Sequence, residues 1–172
     1  FKEYDMKNRF FNMDLAGGAL LDIGVYALSL IRSFMIEKPE EVLSQWLPSP
    51  TGSDEMATIL LKNSAGQMAT AALSMHSKQP KRAVISCEKG YIEIMEYLRA
   101  DKARIVDAET GAVREIAAGS TPRALYYELQ DMEAAVRSGD TSSLRFQHTR
   151  DVMEIMTRLR KEWGPVSYTH LT

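Results

Sequence analysis

The sequence predicts an α+β domain in which a large, open and mostly antiparallel β-sheet carries helices packed on one face. Three observations lead to this fold class. A long apolar helix lies near the start, short strands separated by turn residues fill the middle, and two amphipathic helices close the chain. Helical patterns are missing between the strands, and this excludes a parallel, doubly wound sheet.

Length and composition fit a single domain with a sizeable core, which we expect to span residues 1–165 of the 172 in the sequence. The formal net charge of -2 gives no electrostatic reason to expect nucleic acid or an anionic membrane as a partner. Cys87 is the only cysteine, so an internal disulfide is excluded and a reducing, cytoplasmic location is expected.

The first predicted helix spans residues 17–36 and is apolar on nearly all its faces, which indicates burial on all sides. Asp14 is a plausible N-cap, and Lys38-Pro39 ends the helix because a residue before proline avoids the helical region. The apolar run 19–31 is too short to span a bilayer, and it contains Asp22.

Seven short strands are predicted after this helix, over 42–47, 55–62, 67–76, 82–88, 91–95, 103–106 and 112–116. Turn residues separate them at 48–52, 63–66, 89–90 and 110–111, and short turns imply antiparallel neighbours. The sheet face away from the helices is expected to be partly apolar and to form a homodimer or tetramer interface. The residues that suggest this are Ile59, Leu61, Met68, Thr70 and Ala72.

Two further helices are predicted, one beginning at Thr121-Pro122 and ending at Gly139, the other covering about 146–163. The apolar stripe of the first consists of Leu125, Leu129, Met132, Ala135 and Val136. The buried face of the second consists of Val152, Ile155, Met156, Leu159 and Trp163. The tail 166–172 breaks the pattern and is expected to be non-native, so Tyr168 and His170 receive no role.

The segment GGALLDIGVYAL, residues 17–28, combines a core-like composition with Asp22 and Tyr26. Side chains four apart on a helix are neighbours. In one interpretation Asp22 bonds backbone amides in the first helical turn and Tyr26 is a core aromatic whose hydroxyl reaches the surface. In the other, the two side chains have a functional role, since a buried aspartate without a partner is costly.

The same segment resembles the signature Gly-Gly-x-x-x-Asp-x-Gly-x-His/Tyr of the family of glucose-fructose oxidoreductase, inositol dehydrogenase and their relatives (Gfo/Idh/MocA). The signature opens the long helix of the family's C-terminal domain. Three further segments are similar to the trans-1,2-dihydrodiol dehydrogenase branch, in which tyrosine replaces histidine, as Tyr26 does here. They are NRFFNMDL, YYELQDMEAAVRSG and HTRDVMEIMTRLRKEWG.

The resemblance implies an NAD(P)-dependent oxidoreductase that interconverts a hydroxyl of a sugar or cyclic diol and its ketone or lactone by hydride transfer. Tyr26 would be the general acid/base, and Asp22 would hold the substrate hydroxyl or orient a catalytic lysine. A free phenol has a pKa of about 10, so it needs a nearby cation to ionise at working pH. Weaker candidates for substrate or cofactor contacts are Arg9, Gly18, Tyr126 and Tyr127.

The dinucleotide fingerprint Gly-x-Gly-x-x-Gly after a strand does not occur in the sequence. The resemblance therefore implies that a Rossmann domain with the NAD or NADP site and the lysine of a Glu-Lys-Pro motif lies outside this chain. The chain alone is then expected to be inactive. Glu37-Lys38-Pro39 follows the long helix and is interpreted as a helix end.

Several alternatives stay open at this stage. The chain could be a stand-alone, non-catalytic module that uses its open sheet face for association only. Arg9 could be an ordinary surface arginine, and Gly17, Gly18 and Gly24 could simply allow the helix to approach a cofactor or neighbouring backbone. His76 and His148 lack partners at metal-ligand spacing, so no metal site is expected.

Overall fold

The computed structural model of the chain describes residues 4–5 and 7–164, and the predicted non-native tail, 166–172, lies outside the described residues. The described residues up to Gln79, together with those from Gln147 onward, form a first compact unit. Pro80–Phe146 form a second unit.

A three-stranded antiparallel sheet forms the centre of the first unit. Its strands are β1 (Glu41–Pro48), β2 (Asp54–Lys62) and β3 (Met68–Ser74), in the order β1-β2-β3. Ile59 of β2 lies opposite Ser44 of β1 and Ala71 of β3. Cross-strand partners share a face of the sheet, so this register decides which side chains face the core.

The long helix of the first unit consists of a π-helical turn, Leu20–Gly24, followed by α1, Val25–Phe34. A separate 3₁₀ turn, Met13–Leu15, precedes it and is capped by the side chain of Asn12. The prediction that Asp14 caps the helix is therefore wrong. The Gly17-Gly18 pair separates the two helical pieces, since Gly18 has a φ of 125° that interrupts the helix.

The last helix of the first unit, α3, spans Phe146–Trp163 and presents the predicted apolar face to the core. All five residues predicted for that face are buried. The Trp163 ring stacks on Trp46 of β1 with centroids 5.5 Å apart, and its indole N–H donates to Ser44 Oγ at 2.9 Å. The core joins α3, the long helix and the inner face of the sheet through Leu20, Leu28, Val42, Ile59, Leu61, Leu73, Ile155 and Leu159.

The segment Met13–Phe34 is long and apolar enough to cross a membrane if only its length and composition are considered, with a mean hydropathy of 1.5. In this fold it packs Leu20 and Leu28 against the sheet and α3, as core helices do. The expectation that the protein has no membrane partner stays a prediction.

The second unit contains a four-stranded antiparallel sheet and one helix. The strands β4 (Arg82–Cys87), β5 (Gly90–Met95), β6 (Lys102–Asp107) and β7 (Val113–Ala117) pair in chain order. The helix α2 spans Ala124–Ser138 and ends at Gly139, whose φ of 73° fits a glycine cap. Of its predicted apolar stripe only Ala135 is buried, because the other four side chains find no cover in the part of the chain that the structure describes.

The α+β class with antiparallel strands is confirmed, and the extent of the predicted domain, 1–165, stays a prediction. The seven described strands form two sheets where one was predicted. Pro80 lies in the connection between β3 and β4, where the strand pairing is interrupted. Proline cannot donate a hydrogen bond to a strand ladder, so it favours such an interruption.

Ile59 and Leu61 were assigned to the open face wrongly, since both are core residues with at most 1% exposure.

Candidate functional site

The structure brings Arg9 and Asp22 together at the start of the long helix. An Arg9 guanidinium nitrogen lies 2.9 Å from Asp22 Oδ1, and the two side chains are 61% and 20% exposed. The guanidinium also lies over the Phe10 ring, 4.2 Å from its centroid. An ion pair this close to solvent adds little stability, so its main effect is to orient the Asp22 carboxylate.

Tyr26 lies in the first turn of α1 and is 50% exposed. Its helix neighbours Gly24 and Leu28 are buried. The phenol therefore occupies the solvent side of a helix whose other side is core, and this exposure does not fit the interpretation of Tyr26 as a core aromatic.

Asp22 lies in the middle of the π-helical turn. The turn closes with the Val25 N–H donating to the Leu20 carbonyl, and the Asp22 N–H donates to the Gly18 carbonyl at 3.2 Å. Such turns insert one residue into a helix and are frequent at functional sites. The extra residue alters the four-residue spacing assumed from the sequence, so the adjacency of the Asp22 and Tyr26 side chains stays a prediction.

The glycines of the motif allow close packing with other parts of this chain. A Cβ on Gly17 would lie 2.7 Å from the Arg9 carbonyl oxygen and 2.8 Å from that of Asn12. A Cβ on Gly24 would lie 2.9 Å from a methyl of Leu73 on β3. The space at the glycines is thus filled by protein atoms. It is not a cradle for a cofactor phosphate, and a contact from Gly18 to substrate or cofactor stays a prediction.

Asp54 is the residue at this site that the sequence analysis missed. It begins β2, is 9% exposed, and accepts a hydrogen bond of 2.6 Å from the Leu20 N–H. Burial raises the pKa of Asp54 to about 6, although the Leu20 and Ala19 amides and the charge of Arg160 act in the opposite direction. The available signal was a charged residue that begins a buried strand directly after the turn Thr51-Gly52-Ser53, because charged residues are rarely buried without a partner.

Tyr126 and Tyr127 belong to the second unit, where they begin α2. The Arg123 guanidinium lies over both rings, 4.7 Å and 5.5 Å from their centroids. Tyr126 is 48% exposed and Tyr127 is partly buried. Their roles as substrate or cofactor contacts stay predictions.

The histidines have structural surroundings. His76 stacks on Tyr4 with ring centroids 4.7 Å apart, and the Tyr4 hydroxyl donates to Glu55 of β2. His148 is partly buried on α3. Within residues 4–5 and 7–164, His, Cys, Asp and Glu side chains nowhere gather in threes as metal ligands would.

Comparison with known families gives a match over residues 1–93 to the model described as the GFO/IDH/MocA C-terminal domain. The trans-1,2-dihydrobenzene-1,2-diol dehydrogenase of Danio rerio is 26% identical over 163 residues, which cover 88% of this chain and 48% of that protein. The scyllo-inositol 2-dehydrogenase (NADP(+)) of Bacillus subtilis is also 26% identical, over 91% of this chain and 47% of its own length. The chain therefore spans about half the length of these curated relatives.

Among solved structures, the UDP-N-acetylglucosamine 3-dehydrogenase of Acidithiobacillus ferrooxidans superposes with a TM-score of 0.72. The match covers 91% of this chain and 49% of that one, at 19% sequence identity. At that identity the similarity establishes a shared fold.

Proposed function

Because this chain belongs to the Gfo/Idh/MocA family, we propose that it supplies the substrate-binding, C-terminal part of an NAD(P)-dependent oxidoreductase. The observation that carries the proposal is the exposed phenol of Tyr26, four residues after Asp22 of the Arg9–Asp22 pair, at one end of a largely apolar helix. Packing of this helix against the core does not require Asp22 and Tyr26, whereas a site that moves protons requires groups of this kind.

Tyr26 is the proposed proton donor and acceptor for the substrate hydroxyl. Oxidation of a carbinol releases a proton from the oxygen as the hydride leaves the carbon, and reduction of the ketone requires the reverse. A phenol can serve in both directions if a cation stabilises its ionised form. The half-exposed position of Tyr26 leaves its hydroxyl free to meet a ligand.

Asp22 is the proposed partner for a second substrate hydroxyl. Its Oδ1 is engaged by Arg9, and a carboxylate can accept further hydrogen bonds on its remaining lone pairs. Arg9, 61% exposed, would hold the carboxylate in place and could also meet the substrate. Sugars and cyclic diols present adjacent hydroxyls, so this pair suits such substrates.

The nicotinamide cofactor would be held mainly by a domain outside this sequence. The described residues do not fit its pyrophosphate, since protein atoms fill the space at Gly17 and Gly18. When bound, the nicotinamide would supply or accept the hydride. One relative named as NADP(+)-dependent supports NADP or NAD as the cofactor of the whole protein. The single cysteine, Cys87, suits the reducing cytoplasm as its location.

A second proposed function is association through the outer face of the three-stranded sheet. Leu43, Leu47 and Met68 on this face are 61%, 54% and 64% exposed, and Met56 is 36% exposed. A group of exposed apolar side chains on one face of a sheet is typical of a protein interface. A second copy of the same chain is the proposed occupant, giving a homodimer or tetramer.

The oxidoreductase proposal is tested with the full-length protein that carries this chain, supplied with NAD or NADP and a panel of sugars and cyclic diols. Reduction of the nicotinamide by at least one substrate class is expected. The 172-residue chain alone is the control, and it should bind NAD(P)H very weakly and show no turnover. Tight binding to this chain alone would contradict the domain assignment, and a full-length protein that neither binds nor reduces the cofactor would contradict the enzyme assignment.

A further inference from the structure

Hydrogen bonds among its own residues close the turn before Asp54. The hydroxyls of Ser49, Thr51 and Ser53 form a closed triangle, with oxygen separations of 2.6, 2.9 and 3.1 Å. The Ser49 N–H also donates to the Ser53 carbonyl at 2.7 Å, and Ser53 is fully buried. A turn fixed in this way presents Asp54 at a defined position at the start of β2.

The Asp54 carboxylate lies where the side chain of any other residue at position 18 would begin. A Cβ built on Gly18 falls 1.9 Å from Asp54 Oδ1 and 2.7 Å from its Cγ. Gly18 also has a φ of 125°, which side chains rarely permit. Gly18 and Asp54 thus form a complementary pair, in which the missing side chain of one makes room for the carboxylate of the other.

The carboxylate caps the helix at the turn that carries Asp22. Asp54 Oδ2 accepts from the Leu20 N–H, and the Leu20 carbonyl accepts from Val25 to close the π-helical turn. The Gly18 carbonyl in turn accepts from the Asp22 N–H. Gly18 and Leu20 are the two residues next to the Asp54 carboxylate. Both therefore make backbone hydrogen bonds with the turn in which Asp22 lies.

We propose that Asp54 is a positioning residue: reaching from β2 into the space left by Gly18, it fixes the start of the helix and so sets the positions of Asp22 and Tyr26. The catalytic consequence rests on the proposed function, whereas the capping role is independent of it. The local sequence provides no side-chain cap at the start of this helix, where the N-cap position is Ala19, so the cap comes from a residue 34 positions away.

The test uses the full-length protein and two readouts, amide hydrogen exchange in the segment 19–26 and steady-state kinetics. Asp54→Ala should raise exchange in that segment at least tenfold and lower kcat at least tenfold, with a smaller change in KM. Asp54→Asn keeps an acceptor oxygen without the charge, so both effects should be intermediate. Asp14→Ala is the matched control, because this exposed aspartate beside the motif caps no helix here and should leave both readouts unchanged.

Unchanged exchange in Asp54→Ala would overturn the proposal, as would raised exchange with an unchanged kcat. If Asp54→Ala does not fold, Asp54→Asn decides the matter, and exchange equal to that of wild type would overturn the proposal. A wild-type protein with no oxidoreductase activity would contradict the proposed function only, since the exchange measurement still tests the cap.

Discussion

Arg32 of α1 and Asp151 of α3 form a buried ion pair, with Arg32 Nε 2.7 Å from Asp151 Oδ2 across 119 residues of sequence. The two side chains are 9% and 2% exposed. Gln147 Nε2 donates to the other carboxylate oxygen, and an Arg32 nitrogen donates to the Met35 carbonyl. Burial raises the pKa of Asp151, but the hydrogen bonds from Arg32 and Gln147 outweigh burial and hold it below its usual range. The pair ties the helix of the candidate site to α3.

Asp151→Ala should lower the free energy of unfolding by about 3–5 kcal/mol, because it leaves the Arg32 charge buried without its partner. Denaturant unfolding measures this change. Glu154→Ala is the control, since the Lys38–Glu154 pair also reaches α3 but is exposed, and it should cost about 0.5 kcal/mol or less. Equal effects of the two variants would contradict the importance of the buried pair.

Gly18→Ala should destabilise the protein far more than Gly66→Ala. Both glycines have positive φ, but a Cβ on Gly66 meets nothing within 4 Å. Backbone strain alone should therefore cost about 1–2 kcal/mol at Gly66, and the clash with Asp54 adds to it at Gly18. In an Asp54→Ala background the cost of Gly18→Ala should fall, a non-additivity that thermal unfolding of the four proteins would reveal. Simple additivity would mean that the two residues do not share this space.

Asp54 should make stability depend on pH between about 4 and 6. Its pKa is about 6 in the folded protein against 3.8 for a free side chain. The folded state therefore binds more protons than the unfolded state in this window, and the Asp54 contribution to the free energy of unfolding falls as the pH rises. As the pH rises across this window, the free energy of unfolding of wild type minus that of Asp54→Asn should decrease by up to about 3 kcal/mol. Contributions from other carboxylates cancel in that difference, and a flat curve would contradict the raised pKa.

Leu43→Lys combined with Leu47→Lys should convert an oligomer of the full-length protein to monomer, because both charges would lie on the outer face of β1. Light scattering with size-exclusion chromatography measures the mass. Met153→Lys, at an exposed position on α3, is the control and should leave the mass unchanged. An oligomer that survives the double substitution would place the interface elsewhere.

Strand positions followed closely from the sequence because turn residues separate most of the strands. Turns such as 63–66 and 110–111 place most strand ends within one or two residues of those observed. The buried face of α3 was also predictable, since a stripe at helical spacing needs only local sequence. These features depend on neighbours in the chain.

Features that depend on distant pairing were not predictable in the same way. Ile59 and Leu61 were placed on the wrong face because the register that sets Ile59 opposite Ala71 was unknown. Asp54 was missed because its partner, Leu20, lies 34 positions away. The apolar stripe of α2 was expected to be covered, yet side chains such as Leu129, 69% exposed, lie open in this chain.

The most direct test of the central claim is the turnover of Tyr26→Phe in the full-length protein. The substitution removes only the hydroxyl, so folding should be kept while kcat falls by about 10²-fold or more, the scale of a lost general acid/base. Tyr91→Phe, which removes an exposed phenol on β5, should leave kcat unchanged. Turnover equal to wild type in Tyr26→Phe would contradict the account and make Tyr26 an ordinary surface aromatic.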